Sequence, residues 1–199
     1  GDVLGTLREL GAKVVTVYLW KSSSSADVET YRKGMKWALQ RAKILLDRNR
    51  KKGKLYVYPV LDVVVDWLPH SGGVSRNEYF EAYREAYENR ERFGRNKLPS
   101  LRELQACPCL LVSSCAYSPG LQAADLCIGV VGAFLRWCEA GCPSTRQVRK
   151  LKALFPAVGE MTLRTDGGIP VGAGLVTWTT GKLRKMIPIG FRKLGVTYR

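Results

Sequence analysis

Three aspartates stand in apolar stretches of this chain, where a carboxylate is unexpected. Asp62 and Asp66 lie in the run YPVLDVVVDW, and Asp125 lies in SPGLQAADLCIGVVGAFLRW, which reads as a helix that is apolar nearly all round. A buried carboxylate costs several kcal/mol unless it is paired or takes up a proton. The three aspartates are therefore the first candidates for chemistry.

Carboxylates that converge at the edge of an α/β sheet are suited to a hard divalent cation. Asp62 and Asp66 are an even number of residues apart, so a regular strand places them on one face. Such oxygen ligands bind Mg²⁺ or Mn²⁺, and two bridged ions activate water and stabilise the leaving oxygen in phosphodiester cleavage. We predict a metal site with Asp62 and Asp125, and with Asp66 as a third ligand. The structural alternatives are that Asp125 caps a helix or pairs with Arg136, and that Asp66 only ends a strand.

The predicted helix must hold Asp125 against the sheet. A repeat of 3.6 residues places four residues on one face, namely Gln122, Asp125, Gly129 and Gly132. Two glycines allow a helix backbone to approach a sheet closely. We therefore expect this face to pack tightly and to direct Asp125 to the end of the sheet.

The surrounding elements alternate between β-branched apolar runs and helical patterns. Strands are predicted at 12–20, 54–67 and 107–114, and helices at 3–10, 27–50, 78–93 and 118–137. This alternation is typical of an α/β domain, here over residues 1–142. A basic amphipathic helix follows at 144–155, and the Gly-rich remainder has β-like runs at 174–180 and 185–191. We predict that residues 143–199 are a basic, β-rich C-terminal appendage.

The charge of the chain favours a polyanionic partner. It has 32 Lys and Arg against 17 Asp and Glu, a formal net charge of +15. Nucleic acid is the first partner class that such an excess indicates, and an anionic membrane surface is the second. The predicted nucleic-acid-binding residues are Arg146, Arg149, Lys150, Lys152, Lys182, Arg184, Lys185, Arg192 and Lys193. Three aromatic residues lie among these cations, namely Trp178, Phe191 and Tyr198. They either stack on bases or form a small hydrophobic core, in which case the basic face around that core is only solvated.

The remaining patterns favour a cytoplasmic protein without a membrane partner. The uncharged run 126–135 is about half as long as a bilayer-spanning helix. The six cysteines lack the paired spacing of a zinc site, and His70 is the only histidine, so buried reduced thiols are expected. A disulfide between Cys138 and Cys142 requires a sharp turn at Gly141.

The motifs around the aspartates resemble a known family. SPGLQAADLCIGVVGAFLRW is similar to the Gln-x-x-Asp helix of the domain of unknown function 3800 family, and LYVYPVLD is similar to the strand ending in Asp that precedes it. The resemblance covers the second half of that family, from Val3 to Trp137. It implies a ribonuclease H-like mixed sheet with flanking helices. It also implies a metal-dependent nuclease-like site in which Asp62 and Asp125 match two acidic positions.

Two functions follow from these patterns. The first is a Mg²⁺-dependent nuclease acting on RNA or DNA, in which Asp62 and Asp125 are catalytic and Gln122 orients the substrate or a carboxylate. The family's first strand carries Asp-Glu-Ser-Gly, which this sequence lacks, so we expect those strands to be missing or to come from a separate N-terminal segment. The second function is therefore a catalytically inactive protein that binds structured RNA, such as ribosomal RNA, within a ribonucleoprotein.

Overall fold

The computed structural model describes residues 2–19, 28–51, 61–66, 76–93, 96–144, 146–165, 169–170, 174–178 and 181–198. Over these residues the fold is mixed α/β and mostly helical, which confirms the α/β class, while the ribonuclease H-like mixed sheet stays a prediction. The helices are α1 (Val3–Glu9), α2 (Val28–Lys51), α3 (Arg76–Glu88), α4 (Pro119–Glu139), α5 (Arg146–Met161) and α6 (Gly181–Lys193). The strands are β1 (Thr16–Leu19), β2 (Leu61–Asp66), β3 (Glu91–Phe93), β4 (Asn96–Leu98), β5 (Ala106–Ser113) and β6 (Leu175–Trp178). The described strands form three two-stranded sheets.

The chain divides into two compact units. The first unit combines Gly1–Trp20 with Gln122–Arg199, and the second unit is the continuous segment Lys21–Leu121. The boundary predicted at residue 142 lies inside the first unit. Residues of the predicted appendage therefore pack in the same unit as α1 and most of α4.

The first unit is built on a parallel pair of strands and an aromatic core. β1 pairs with β6 in parallel, with Thr16 opposite Leu175. Phe134 of α4, Phe155 of α5 and Phe191 of α6 are almost fully buried and contact one another, with ring centroids 4.0 to 5.1 Å apart. Burying each phenylalanine contributes about 1.5 to 3 kcal/mol, so these three rings hold the helices of the unit together.

The second unit packs its helices on one face of another parallel pair. β2 pairs with β5 in parallel, and β3 pairs with β4 as a short antiparallel hairpin. The core of the unit includes Leu39 of α2, Tyr83 and Ala86 of α3, and Leu110 of β5. The helix predicted at 78–93 ends earlier than expected, because α3 stops at Glu88 and residues from Glu91 onward form β3.

The C-terminal segment is not β-rich, and that prediction is wrong. α5 continues through Pro156 to Met161, and the run predicted as a strand at 185–191 lies within α6, which contains Pro188. The buried residues explain both helices. Leu183, Ile187 and Phe191 recur every four residues and are all buried, which is the spacing of a helix face and not of a strand.

The helix ends mostly agree with the sequence patterns. Gly11 follows α1 with a φ of 72°, a left-handed conformation that glycine adopts without strain. At the start of α4 the backbone N–H of Leu121 donates to the Ser118 hydroxyl at 3.3 Å, as predicted for an N-cap. By length and composition alone α4 could cross a membrane, a property that it shares with core helices of soluble proteins.

Candidate nucleic-acid interface and carboxylate sites

α5 presents its basic residues opposite its buried stripe. Leu151, Phe155 and Val158 are buried in the core of the first unit. The exposed residues include Arg149, Lys150 and Lys152, which the helical repeat places away from that stripe. Arg146 is the first residue of the helix, and its side chain lies outside the described part of the structure. The sequence pattern therefore identified the outward face of this helix.

α6 has a second basic face, although the sequence predicted a strand in its place. Four cations are exposed around the half-exposed Ile189 within one arc of the helix, and they are Lys182, Lys185, Arg192 and Lys193. Arg184 is also exposed, but the helical repeat places it outside that arc. The helix that replaces the strand predicted at 185–191 places these four cations on one arc.

The cations of α5 and α6 have few protein partners. Among the described side chains, no carboxylate forms a salt bridge with Arg149, Lys150, Lys152 or the exposed cations of α6. A salt bridge elsewhere in this unit joins Arg8 to Glu160 at 3.3 Å. Arg192 and Lys193 donate to backbone carbonyls, those of Pro188 and Cys142. The charge of these helices therefore stays available to an external anion.

In the second unit, several cations are paired with carboxylates. Several of its cations lie within ion-pair distance of acidic side chains: Lys36 with Glu85 at 2.7 Å, Lys43 with Glu91 at 3.6 Å, Lys51 with Asp47 at 2.7 Å and Arg90 with Glu103. The Lys36 pair lowers the pKa of the Glu85 carboxyl. Burial lowers the pKa of Lys43, whose side chain is fully enclosed and also donates to the Asn89 carbonyl. The second unit thus pairs several of its cations internally, although Arg84, Arg92, Lys97 and Arg102 are exposed there without a salt bridge among the described side chains.

Two of the aromatic residues among the C-terminal cations, Phe191 and Tyr198, belong to the core. Phe191 is 1% exposed, and its ring contacts Tyr198 edge-on at 5.4 Å between centroids. Burial raises the pKa of the Tyr198 hydroxyl. Phe191 therefore cannot stack on a base, and the small-core alternative is the correct one for this pair. The side chain of Trp178 lies outside the described residues.

Asp62 is exposed, so the expectation that it is buried is wrong. It lies where the pairing of β2 with β5 is irregular, because Leu61 is opposite Ala106 while Val63 is opposite Leu110. Nearby, the buried hydroxyl of Tyr83 donates to the Cys107 carbonyl. Burial raises the pKa of Tyr83 to about 12, with smaller contributions from neighbours that include Asp62. Asp62 is therefore a surface carboxylate beside a buried tyrosine.

Asp125 and Gln122 are exposed on α4, and the tight contact expected at this face is absent from the described structure. A Cβ added at Gly129 would meet no atom within 4 Å, and one at Gly132 would meet only the Arg136 guanidinium, at 3.7 Å. The buried residues of α4, such as Cys127, Val131 and Phe134, lie on the other side of the helix. The glycines leave this face open to solvent instead of bringing it against a sheet.

The predicted metal ligands are divided between the two units. Asp62 and Asp66 belong to the second unit and Asp125 to the first. Asp66 is the last residue of β2, opposite Ser113, and its side chain is outside the described residues. Over the described ranges, no three His, Cys, Asp or Glu side chains are grouped as metal ligands. The shared site of Asp62, Asp66 and Asp125 stays a prediction.

The sharp turn on which a Cys138–Cys142 disulfide depends is present. Gly141 and Cys142 have φ angles of 86° and 56°, and the backbone N–H groups of both residues donate back into the last turn of α4, which is the Schellman arrangement. The Cys142 thiol donates to Cys138 Sγ at 3.9 Å, so both are thiols here. Burial raises the pKa of Cys138 far above that of a free thiol. Cys127 is buried as expected, whereas Cys109 is exposed.

One feature of the first unit has no counterpart in the sequence predictions. An open groove of about 870 Å³ lies between α4 and α5, and its lining includes Leu126, Gly129, Ala133 and Leu154. The exposure of Leu126 and Leu154 could not be predicted, because both residues continue apolar helical patterns that indicate burial.

A scan against protein-family models and searches of curated proteins and of solved structures found no match to this chain. Its function must therefore be argued from its own residues.

Proposed function

We propose that this protein binds nucleic acid through the outward basic faces of α5 and α6. The observation that carries the proposal is the group of exposed cations on α5 and α6 that lack carboxylate partners among the described side chains. In the second unit several cations are paired with carboxylates. Leaving so many like charges unpaired costs stability through mutual repulsion. A phosphate backbone would relieve that repulsion and release its own counterions.

The test is the salt dependence of binding, measured with labelled RNA and DNA duplexes at several salt concentrations. We compare the wild type with a quadruple variant that carries Lys150→Gln, Lys152→Gln, Lys182→Gln and Lys185→Gln, all at exposed positions. Each lost phosphate contact lowers the log–log slope by about 0.9 on duplex DNA, so the slope should flatten by up to about 3.6. Affinity should fall at low salt because fewer counterions are released.

The matched control removes the same charge from the second unit. Its substitutions are Arg84→Gln, Arg92→Gln, Lys97→Gln and Arg102→Gln, again at exposed positions. A general effect of net charge would flatten both slopes equally. That result would remove the reason to assign binding to α5 and α6, whereas a loss confined to the first variant supports it.

A second candidate function is Mg²⁺-dependent phosphodiester cleavage on a ribonuclease H-like fold. It rests on the resemblance of the Asp125 helix and the Asp62 strand to the domain of unknown function 3800 family, and it is favoured by the exposure of both carboxylates. In this proposal Asp62, Asp66 and Asp125 hold Mg²⁺ or Mn²⁺ and Gln122 orients the substrate. The bound ions would supply an activated water and stabilise the leaving oxygen.

Metal titration separates this candidate from an inactive protein that binds structured RNA. We expect calorimetry with Mg²⁺ and Mn²⁺ to show binding to the wild type and its loss in Asp62→Asn and in Asp125→Asn. Glu78→Gln, which changes an acidic residue in the first turn of α3, is the control. Binding of cation that persists in both aspartate variants would refute the shared site. RNA binding without metal binding or cleavage would favour the inactive alternative.

A further inference from the structure

The groove between α4 and α5 is lined by apolar side chains of two neighbouring helices. We call it the α4–α5 groove and define its floor as Leu126, Gly129, Ala133, Leu151 and Leu154. Leu126 is 39% exposed and Leu154 is 40% exposed. An exposed apolar patch that is bordered by charged residues commonly marks an interaction site.

The shape of the groove selects among classes of partner. Because Gly129 has no Cβ and no described atom lies within 4 Å of where one would be, another backbone can approach α4 closely there. A concave channel between two helices accepts a rod, and an α-helix with side chains is a rod about 10 Å wide. A flat bilayer surface would contact the rims and leave the floor uncovered.

The charge around the groove narrows the class of binding partner further. Arg136 and Lys150 line it and are exposed, while Asp125 lines it at the N-terminal part of α4. Residues 122–199 contain 12 Lys and Arg against four Asp and Glu. A second copy of this chain would bring like charge to the groove, whereas carboxylates on the partner would meet Arg136 and Lys150.

We propose that the α4–α5 groove binds an acidic amphipathic helix of a partner protein. The apolar stripe of that helix covers Leu126, Gly129 and Leu154, and its carboxylates face Arg136 and Lys150. Recognition of this kind uses apolar anchors at positions i, i+3, i+4 and i+7 of the bound helix. The site is distinct from the proposed nucleic-acid surface except at Lys150, which borders both.

The probe is a labelled synthetic peptide of about 18 residues with leucine at those anchor positions and glutamate elsewhere. Its binding to the whole chain is followed by fluorescence anisotropy. Two control peptides are used, one with the same composition in scrambled order and one with lysine in place of glutamate. We expect the glutamate helix to bind at least about tenfold more tightly than either control, which corresponds to about 1.4 kcal/mol.

The blocking variant is Gly129→Leu, which fills the floor of the groove. It also replaces a glycine inside a helix by a strong helix former, so α4 should become more stable, not less. The control is Ala124→Leu, at an exposed position of α4 that does not line the groove. We expect Gly129→Leu to weaken peptide binding at least about tenfold and to leave RNA binding unchanged, and Ala124→Leu to change neither.

Several results would overturn the proposal. The first is equal peptide affinity for Gly129→Leu and the wild type, and the second is equal affinity for the lysine and glutamate peptides. A third is a wild type that binds phosphatidylserine vesicles but not the peptide, with vesicle binding abolished by Gly129→Leu. That result would assign the groove to a membrane. A wild-type dimer in sedimentation that Gly129→Leu dissociates would assign it to a second copy. RNA binding is measured on the same samples, so failure of the groove and failure of the basic surface are distinguishable.

Discussion

Replacing Gly190 by alanine should destabilise the first unit, although alanine is the better helix former. Gly190 lies inside α6, and an added Cβ would be 2.7 Å from Cys138 Sγ and 2.8 Å from Phe134 Cε2. Neither atom can move easily, because Phe134 is fully buried and stacked on Phe155 with centroids 4.0 Å apart. Overpacking of this kind costs about 1 to 3 kcal/mol.

The gain in helix propensity opposes that cost. Glycine to alanine inside a helix contributes about 0.8 to 1.0 kcal/mol. We therefore expect the free energy of unfolding to fall by up to about 2 kcal/mol in Gly190→Ala, measured by urea denaturation. The matched control is Gly129→Ala in α4, where a Cβ meets no described atom within 4 Å and stability should rise.

A double variant identifies the clash itself. Cys138→Ala removes the sulfur that lies nearest to the added Cβ but leaves Phe134 in place. The two substitutions should therefore couple, and Gly190→Ala should cost less in the Cys138→Ala background than in the wild type. If Gly190→Ala were as stabilising as Gly129→Ala, the close packing of α4 on α6 would be refuted.

Two further predictions concern ionisation and thiol access. Hydrogen bonds from Arg90 and from the Ser100 backbone lower the pKa of Glu103 to about 2. Between about pH 4 and pH 2 the unfolded chain binds more protons at this residue than the folded chain does, so the stability of the protein should fall as the pH falls. The fall should be smaller in Glu103→Gln, and thermal unfolding at each pH measures it. In native protein, the exposed Cys109 should react with a thiol reagent before the buried Cys127 and Cys138. Simultaneous labelling of all three, followed by mass spectrometry, would contradict the burial that we describe.

Helices and caps whose signals lie within a short stretch of sequence were predicted correctly. The long helices α2 and α4 and the Ser118 cap follow from periodicity and capping chemistry. α6 was missed because Pro188 is unfavourable inside a helix and two isoleucines favour a strand, although the four-residue spacing of Leu183, Ile187 and Phe191 was present in the sequence. The four-residue periodicity was the more reliable signal, and Pro188 led to the wrong prediction.

The exposure of Asp62 and the pairing of the basic residues were harder to predict from the sequence. The β-branched run around Asp62 indicates burial, but burial on both faces of a strand requires elements to cover both faces, and no local pattern specifies them. Val64 of β2 is 41% exposed beside Asp62 for that reason. The outward cations of α5 followed from the helical pattern, whereas their lack of acidic partners depends on tertiary structure.

The division of the chain into units constrains the order in which it folds during synthesis. Thr16 of β1 pairs with Leu175 of β6, about 160 residues later, whereas Val63 of β2 pairs with Leu110 of β5, about 47 residues later. β1 leaves the ribosome before β6 and must therefore wait without its partner while the whole second unit emerges and becomes able to fold. During that interval the unpaired edge of β1 is open to pairing with other chains, so the arrangement of the units places an aggregation hazard early in synthesis.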